Sequence, residues 1–147
     1  MDKEFLNNYD EKVIALAQYL DINLEPDFNA EDYTEEKIEQ AKQDAIKEVT
    51  DELDSIVEVY ENYFNYYNES YTVVTDEEAD DLWEQELDNY IEECVMPEIP
   101  EHLRDYFNED AWKDDARVDG RGHAISRYDG YEYEETVNGT TYYIYRQ

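Results

Sequence analysis

Residues 131–145 read YEYEETVNGTTYYIY, and this stretch decides the fold class. At its centre, Asn138-Gly139 is a strong signal for a two-residue hairpin turn, because both turn residues must adopt positive φ. Pairing outward from the turn predicts three cross-strand pairs: Val137 with Thr140, Glu135 with Tyr142, and Tyr133 with Ile144. One face of the hairpin then carries Tyr131, Tyr133, Val137, Tyr142 and Ile144. The stretch predicts a β-hairpin in a chain that is otherwise mainly helical.

Two helices are predicted first along the chain, because apolar residues recur there at steps of three and four. The first covers residues 10–20. The second and longest covers residues 33–67, with Asp32 as its N-cap and Glu35 completing a capping box. Helical spacing places Tyr63 and Tyr66 outside the apolar stripe of this helix, so they are predicted to face outward.

A third helix is predicted to follow Thr75, which pairs with Glu78 in a capping box. Cys94 falls on its apolar stripe and is predicted to lie in the core. A short strand at residues 71–74 precedes this helix. Short helices at 101–107 and 109–118, the second capped by Asn108, and a loop at 119–122 follow it.

The predicted fold class is therefore α+β and mostly helical. We expect an acidic helical body over residues 1–98 and a small helix–hairpin module over residues 99–147, packed as one unit. An aromatic content of 15% argues against the disorder that a highly charged composition otherwise suggests.

Charge is the most unusual property of the chain, which carries 42 acidic against 11 basic residues and a net charge of -31. Residues 1–100 hold 31 acidic and 5 basic residues, and no lysine or arginine occurs from Glu48 to Leu103. Such a surface repels nucleic acid and anionic membranes, so the expected partner is a basic, nucleic-acid-binding protein. A halophile's solvated surface is the alternative.

Two rows of carboxylates are the candidate binding residues, because residues three or four apart on a helix are neighbours and can imitate phosphate spacing. The first row is Asp51, Asp54, Glu58 and Glu61; the second is Glu77, Asp80, Asp81, Glu84 and Asp88. Tyr63 and Tyr66 are candidate aromatic anchors, with a broad core or a homodimer interface as alternatives.

No catalytic or metal-binding pattern stands out, and we expect neither an enzyme nor a cofactor. Residues 76–81 lack the alternation and glycine of a calcium loop. Neither His102 nor His123 has Glu three residues before it, as a di-iron bundle requires. Arg117, Arg121 and Arg127 are predicted to pair with the protein's own carboxylates, the alternative being a small anion site.

A single cysteine and the absence of a signal peptide or an apolar spanning segment predict a cytoplasmic protein. Residues 99–107 (IPEHLRDYF), 109–116 (EDAWKDDA) and 142–145 (YYIY) resemble the C-terminal segment of ArdA-type antirestriction proteins of phage and mobile elements. The segment also resembles small phage and prophage proteins. The resemblance implies an elongated acidic DNA mimic that occupies the DNA-binding groove of type I restriction–modification enzymes.

The expected function is thus DNA-mimic inhibition of a bacterial defence complex, either a restriction–modification enzyme or a CRISPR effector. The alternative is an acidic adaptor or chaperone that shields a basic phage or plasmid protein without competing with DNA.

Overall fold

The structure is a computed structural model that describes residues 3–26 and 34–147. Its α-helices are α1 (Glu11–Tyr19), α2 (Glu35–Asp54), α3 (Asp76–Tyr90), α4 (Glu109–Arg117) and α5 (Arg121–Ile125). Its strands are β1 (Ile56–Tyr60), β2 (Tyr63–Tyr66), β3 (Glu69–Thr75), β4 (Tyr133–Val137) and β5 (Thr140–Arg146). Short 3₁₀ turns cover Glu4–Asn8, Met96–Glu98 and Glu101–Tyr106, and a π-helical turn covers Ile91–Val95. The α+β, mostly helical class predicted from the sequence is confirmed.

All five strands form one antiparallel sheet in the order β1-β2-β3-β5-β4. The predicted hairpin is confirmed with its register, from Val137 opposite Thr140 to Tyr133 opposite Ile144. Asn138 and Gly139 adopt φ of 50° and 83°, as the turn requires. Strand β5 pairs with β3 on its other side, so the hairpin completes the sheet that the middle of the chain begins.

Helices cover both faces of this sheet, because successive strand residues point to opposite sides. Val73 and Ile144 face α1 and α2 in the larger core, where Leu16 and Leu53 are also fully buried. Their neighbours face the other way: Val74 and Tyr145 pack with Ala79 of α3 and Ile125 of α5 in a second, smaller core. The molecule therefore has three layers, with the sheet in the middle.

The single helix predicted over residues 33–67 is wrong. Helix α2 ends at Asp54, and a β-hairpin follows, with Ile56 paired to Tyr66. The apolar residues from 56 to 67 are mostly aromatic or β-branched, which favours strands, and their spacing fits both periods. Asn62 and Tyr67 make the two tight turns with φ of 65° and 52°. The predicted helical body thus contains three of the five strands.

Helix termini follow the capping residues in part. Thr75 and Glu78 form the predicted capping box at the start of α3, and Asn108 caps α4. The predicted N-cap Asp32 lies outside the described residues, and α2 begins after Thr34, whose side chain accepts from the Lys37 amide. The predicted 119–122 loop is wrong in part, because α5 begins at Arg121.

Candidate partner-binding surface

The first predicted carboxylate row does not form one helical line. Asp51 and Asp54 lie on α2, but Glu58 lies on β1 and Glu61 lies in the turn after it. Asp51 pairs with Lys47 at 2.7 Å, and Asp54 accepts a 2.9 Å hydrogen bond from the Tyr9 hydroxyl. Glu58 accepts a 3.3 Å hydrogen bond from the Asn62 backbone amide, so Glu61 alone of the four is exposed with no partner among the described residues.

On α3, carboxylates four residues apart form a row that faces cations from α4 and α5. This α3 row consists of Asp76, Asp80, Glu84 and Asp88. The Arg121 guanidinium lies 2.8 Å from Asp76 and 2.9 Å from Asp80, and Lys113 contacts the other two. All four residues of the row are therefore ion-pair partners rather than free acids.

Lys113 forms ion pairs with the C-terminal half of the α3 row, Glu84 and Asp88. Its ammonium lies 2.5 Å from both Glu84 and Asp88, and its side chain is only 9% exposed. Hydrogen bonds to Asp88 and Glu84 raise the pKa of Lys113 above its usual range. Arg117 lies 2.6 Å from Glu84, and hydrogen bonds from Lys113 and Arg117 lower the pKa of Glu84. Lys113 and Glu84 are therefore both charged at neutral pH.

Arg117, Arg121 and Arg127 bind the protein's own carboxylates, as predicted. Arg121 also bonds Glu132 at 2.7 Å and stacks over the Tyr143 ring at 4.6 Å. Burial opposes the charge of Arg121, but hydrogen bonds to Glu132 and Asp76 outweigh it, so its pKa is raised. Arg127 lies 3.4 Å from Glu86. Together these pairs fasten α4 and α5 to α3.

The exposed carboxylates without partners lie elsewhere. Glu77 and Asp81 of the second predicted row are exposed and form no ion pair or side-chain hydrogen bond with the described residues. Residues 85–119, here called the acidic segment, hold 12 acidic and 3 basic residues, a net charge of -9. Eight of its acids are exposed and unpaired with any described residue: Glu92, Glu93, Glu98, Glu101, Asp105, Asp110, Asp115 and Asp119. This segment is not among the predicted binding residues, although its charge density signals it.

The predicted aromatic anchors are only half exposed. Tyr63 stacks on Tyr60 with centroids 4.5 Å apart, and the Tyr66 hydroxyl donates to Glu52. The outward prediction is therefore wrong for Tyr66, which belongs to the edge of the larger core. Cys94, predicted to be buried, is exposed, because α3 gives way to a π-helical turn at Ile91 and the apolar stripe no longer continues in register.

A groove of about 810 Å³ lies between the end of α3, α4 and α5. Tyr90 and Trp112 stack in it, with ring centroids 5.5 Å apart and planes inclined by 17°. Four acids line it, Glu86, Glu93, Asp115 and Asp119, together with Cys94, His123 and Arg127.

Two further features bear on the kind of site. Among residues 3–26 and 34–147, no group of three or more His, Cys, Asp or Glu side chains is placed to hold a metal ion. In the same residues, every helix is too short or too polar to cross a membrane.

Comparison with known proteins finds no match: no family model, no curated protein and no solved structure is similar to this chain.

Proposed function

We propose that this protein is a DNA mimic that inhibits a bacterial defence complex by occupying its DNA-binding groove. It acts by binding rather than by catalysis, and its place of action is the cytoplasm of a bacterial host. The proposal rests on the charge of -31 and on how the structure distributes that charge.

The observation that carries the proposal is the inward orientation of three cations, although others such as Arg127 and Lys47 are exposed. The side chains of Lys113, Arg121 and Lys12 are only 9%, 11% and 17% exposed, and each contacts carboxylates. These buried cations pair with carboxylates from the interior side of the surface, while other carboxylates remain exposed to solvent. A partner approaching from solvent therefore meets an anionic surface on rigid elements, and such a surface attracts a basic groove.

The choice of a restriction–modification or CRISPR complex as the target rests on the resemblance of residues 99–147 to antirestriction proteins. Capture from a bacterial lysate, followed by mass spectrometry, identifies the target. Displacement of the captured target by duplex DNA is the result that supports mimicry.

A block of substitutions tests the acidic surface directly. The block Glu98→Gln, Glu101→Gln, Asp105→Asn and Asp110→Asn removes four exposed charges that have no partner among the described residues. We expect association with the target to slow by about tenfold or more at low salt, because steering depends on the summed field. Each single substitution costs little, since an exposed ion pair contributes about 0.2–1 kcal/mol.

The matched control exchanges Glu for Asp and Asp for Glu at the same four positions, which keeps the charge. Mimicry by this surface is wrong if the neutral block leaves the affinity and its salt dependence at the level of this control. A second block, Glu61→Gln with Glu77→Gln and Asp81→Asn, tests the free members of the predicted rows in the same way.

The alternative function, an acidic adaptor that shields a basic protein, draws support from the groove. A concave site with stacked aromatic rings suits a discrete basic segment better than it suits an extended DNA-binding groove. Competition separates the two functions, because an adaptor remains bound to its partner when duplex DNA is added.

A further inference from the structure

Two helices present matched faces to the groove. Glu86, Tyr90 and Glu93 succeed one another by four and three residues on α3 and the turn that continues it. Glu86 and Tyr90 share one face of α3, and Glu93 in the π-helical turn lines the same groove. Trp112, Asp115 and Asp119 do the same on α4 and its end, so each wall combines one aromatic ring with two carboxylates.

The walls are held at a fixed separation by ion pairs outside the groove. Lys113 and Arg117 on α4 bond Glu84 and Asp88 on α3 at 2.5–2.6 Å. A site whose walls are already fixed loses little entropy when it binds a ligand. The groove is thus preorganised rather than assembled by its ligand.

The charge of the groove selects a cation. Glu93, Asp115 and Asp119 form no ion pair or side-chain hydrogen bond with the described residues. The fourth acid, Glu86, is approached at 3.4 Å by Arg127, whose side chain is 71% exposed. The chain's own guanidinium therefore already rests against one carboxylate of this groove, and three carboxylates are left over.

The aromatic rings favour a guanidinium over an ammonium as the bound cation. Tyr90 remains 54% exposed while it stacks on Trp112. A guanidinium is planar, stacks on aromatic faces and forms paired hydrogen bonds with carboxylates, whereas an ammonium is a compact, strongly hydrated charge.

We infer that the groove binds an arginine side chain presented by the basic partner protein. The guanidinium stacks on the Tyr90–Trp112 pair and is bonded by Asp115, Asp119 and Glu93. This inference rests on the proposed function for the existence of a basic partner, but it concerns a discrete site rather than the summed field. A second copy of this chain is a poor occupant, because its net charge of -31 repels the acidic rim.

Two peptides of equal charge test the inference without the partner. Calorimetric titration of the full chain with hexa-arginine and with hexa-lysine, both capped at their ends, compares the two cations in the same field. We expect hexa-arginine to bind about five- to tenfold more tightly, as a stacked and doubly bonded guanidinium implies. Equal affinities overturn the inference.

Substitutions in the groove test whether the preference for hexa-arginine over hexa-lysine arises there. Tyr90→Ala and, separately, the pair Asp115→Asn and Asp119→Asn are expected to reduce hexa-arginine binding to the level of hexa-lysine. Tyr106→Ala and the pair Glu36→Gln and Glu39→Gln are the matched controls, since these residues are exposed and lie outside the groove. A preference that survives both groove variants, or that the controls also abolish, overturns the site.

Thermal unfolding of each variant shows that it is folded, and the two groove variants change different elements, so failure of one to fold leaves the other decisive. The outcome is separable from that of the proposed function. Loss of the arginine preference leaves DNA competition by the charged surface intact, whereas failure of the charge blocks leaves the peptide preference intact.

Discussion

At the scale of single residues, tyrosine replaces the missing cations as a partner for carboxylates. The chain has 16 tyrosines against 11 lysines and arginines. Six tyrosine hydroxyls donate to acids in both cores and at their edges: Tyr9 to Asp54, Tyr66 to Glu52, Tyr71 to Glu69, Tyr133 to Asp129, Tyr142 to Glu11 and Tyr145 to Glu132. A neutral donor satisfies a carboxylate without cancelling its charge, so the fold gains hydrogen bonds while the surface stays anionic.

Tyr142 makes this exchange measurable. Burial and the 2.6 Å hydrogen bond to Glu11 raise the pKa of Tyr142 to about 12. Because the folded pKa exceeds the usual value of 10, the contribution to stability is complete below pH 10 and is lost as pH rises towards 12. We expect Tyr142→Phe to cost about 1–2 kcal/mol at pH 7 and to make the alkaline loss of stability shallower. Urea unfolding at several pH values measures both effects.

Tyr131→Phe is the control for this variant, because Tyr131 is 65% exposed and its hydroxyl bonds no described residue. An alkaline slope that is the same in wild type and Tyr142→Phe contradicts the role given to this hydroxyl.

Arg121 is the cation on which the most contacts depend, with three carboxylates and the Tyr143 ring around a side chain that is 11% exposed. Arg121→Ala leaves these carboxylates facing one another, and we expect a loss of about 2–4 kcal/mol in the free energy of unfolding. Arg121→Lys keeps the positive charge but lacks the planar guanidinium that bonds several carboxylates at once. Its free energy of unfolding should therefore lie between those of the wild type and Arg121→Ala. Lys47→Ala, which removes an exposed pair, is expected to cost less than about 0.5 kcal/mol in the same denaturation assay.

At the scale of elements, the close approach of α5 to residues 130–132, which lead into β4, depends on a glycine. A Cβ at Gly122 would lie 2.7 Å from the Gly130 carbonyl oxygen and 2.8 Å from the Glu132 nitrogen. Both are backbone atoms, which cannot rotate away. The seating of α5 on the sheet, and with it the position of Arg121, therefore requires this residue to lack a side chain.

In Gly122→Ala, the higher helix propensity of alanine and the steric cost of its side chain affect stability in opposite directions. Alanine favours a helix by about 1 kcal/mol over glycine, so propensity alone predicts stabilisation. We expect destabilisation by about 1–3 kcal/mol instead, because the backbone at residues 130–132 must move. Gln43→Gly on the exposed face of α2 calibrates the propensity in the same denaturation series, and a more stable Gly122→Ala protein would show that the contact yields easily.

At the scale of the whole molecule, repulsion among carboxylates adds to the conformational entropy that opposes folding, and it is strongest where acids outnumber cations. Helix α2 carries eight acidic and three basic residues and buries only Ala45, Val49 and Leu53. The acidic segment adds another net charge of -9. Self-repulsion of this kind weakens the compact state and is relieved by salt or by protonation.

The pH dependence has opposing contributions. Burial and the nearby Asp21 raise the pKa of Glu135, so its unfavourable charge in the folded state is relieved as pH falls. Burial opposes ionisation of Glu78, but hydrogen bonds from Lys12 and Thr75 lower its pKa to about 2. Glu78 therefore stabilises the fold above pH 4.5 and loses that contribution as pH falls towards 2.

We expect the melting temperature to rise as pH falls from about 7 to about 4, where carboxylates of ordinary pKa begin to lose their charge, and to drop towards pH 2, where paired carboxylates such as Glu78 are protonated. Raising salt from about 0.05 to 0.5 M should increase the melting temperature at pH 7 and increase it less at pH 4. Circular dichroism melts over this grid measure both trends. A maximum at pH 7 that does not respond to salt would mean that repulsion among carboxylates does not limit stability.

Local sequence signals predicted what local chemistry determines, namely the Asn138-Gly139 turn with its register and the Thr75–Glu78 capping box. They failed at residues 56–67, where aromatic and β-branched side chains fit two periods and pairing with β3 decides between them. They also could not show that Glu84 and Asp88 face Lys113, because that contact joins helices that are distant in the chain. The groove between α3 and α4 depends on the same contact, so local sequence signals could not predict it either.

The position of β5 between β3 and β4 also governs how the protein is made. Residues 140–146 leave the ribosome some 65 residues after β3, yet they form the strand against which β3 must pair. Until then both cores lack a wall, and the carboxylates of α3 precede Lys113, Arg117 and Arg121, which later neutralise them. The growing chain is thus a polyanion that repels itself, and we expect this to delay collapse until the strand that completes the sheet has been synthesised.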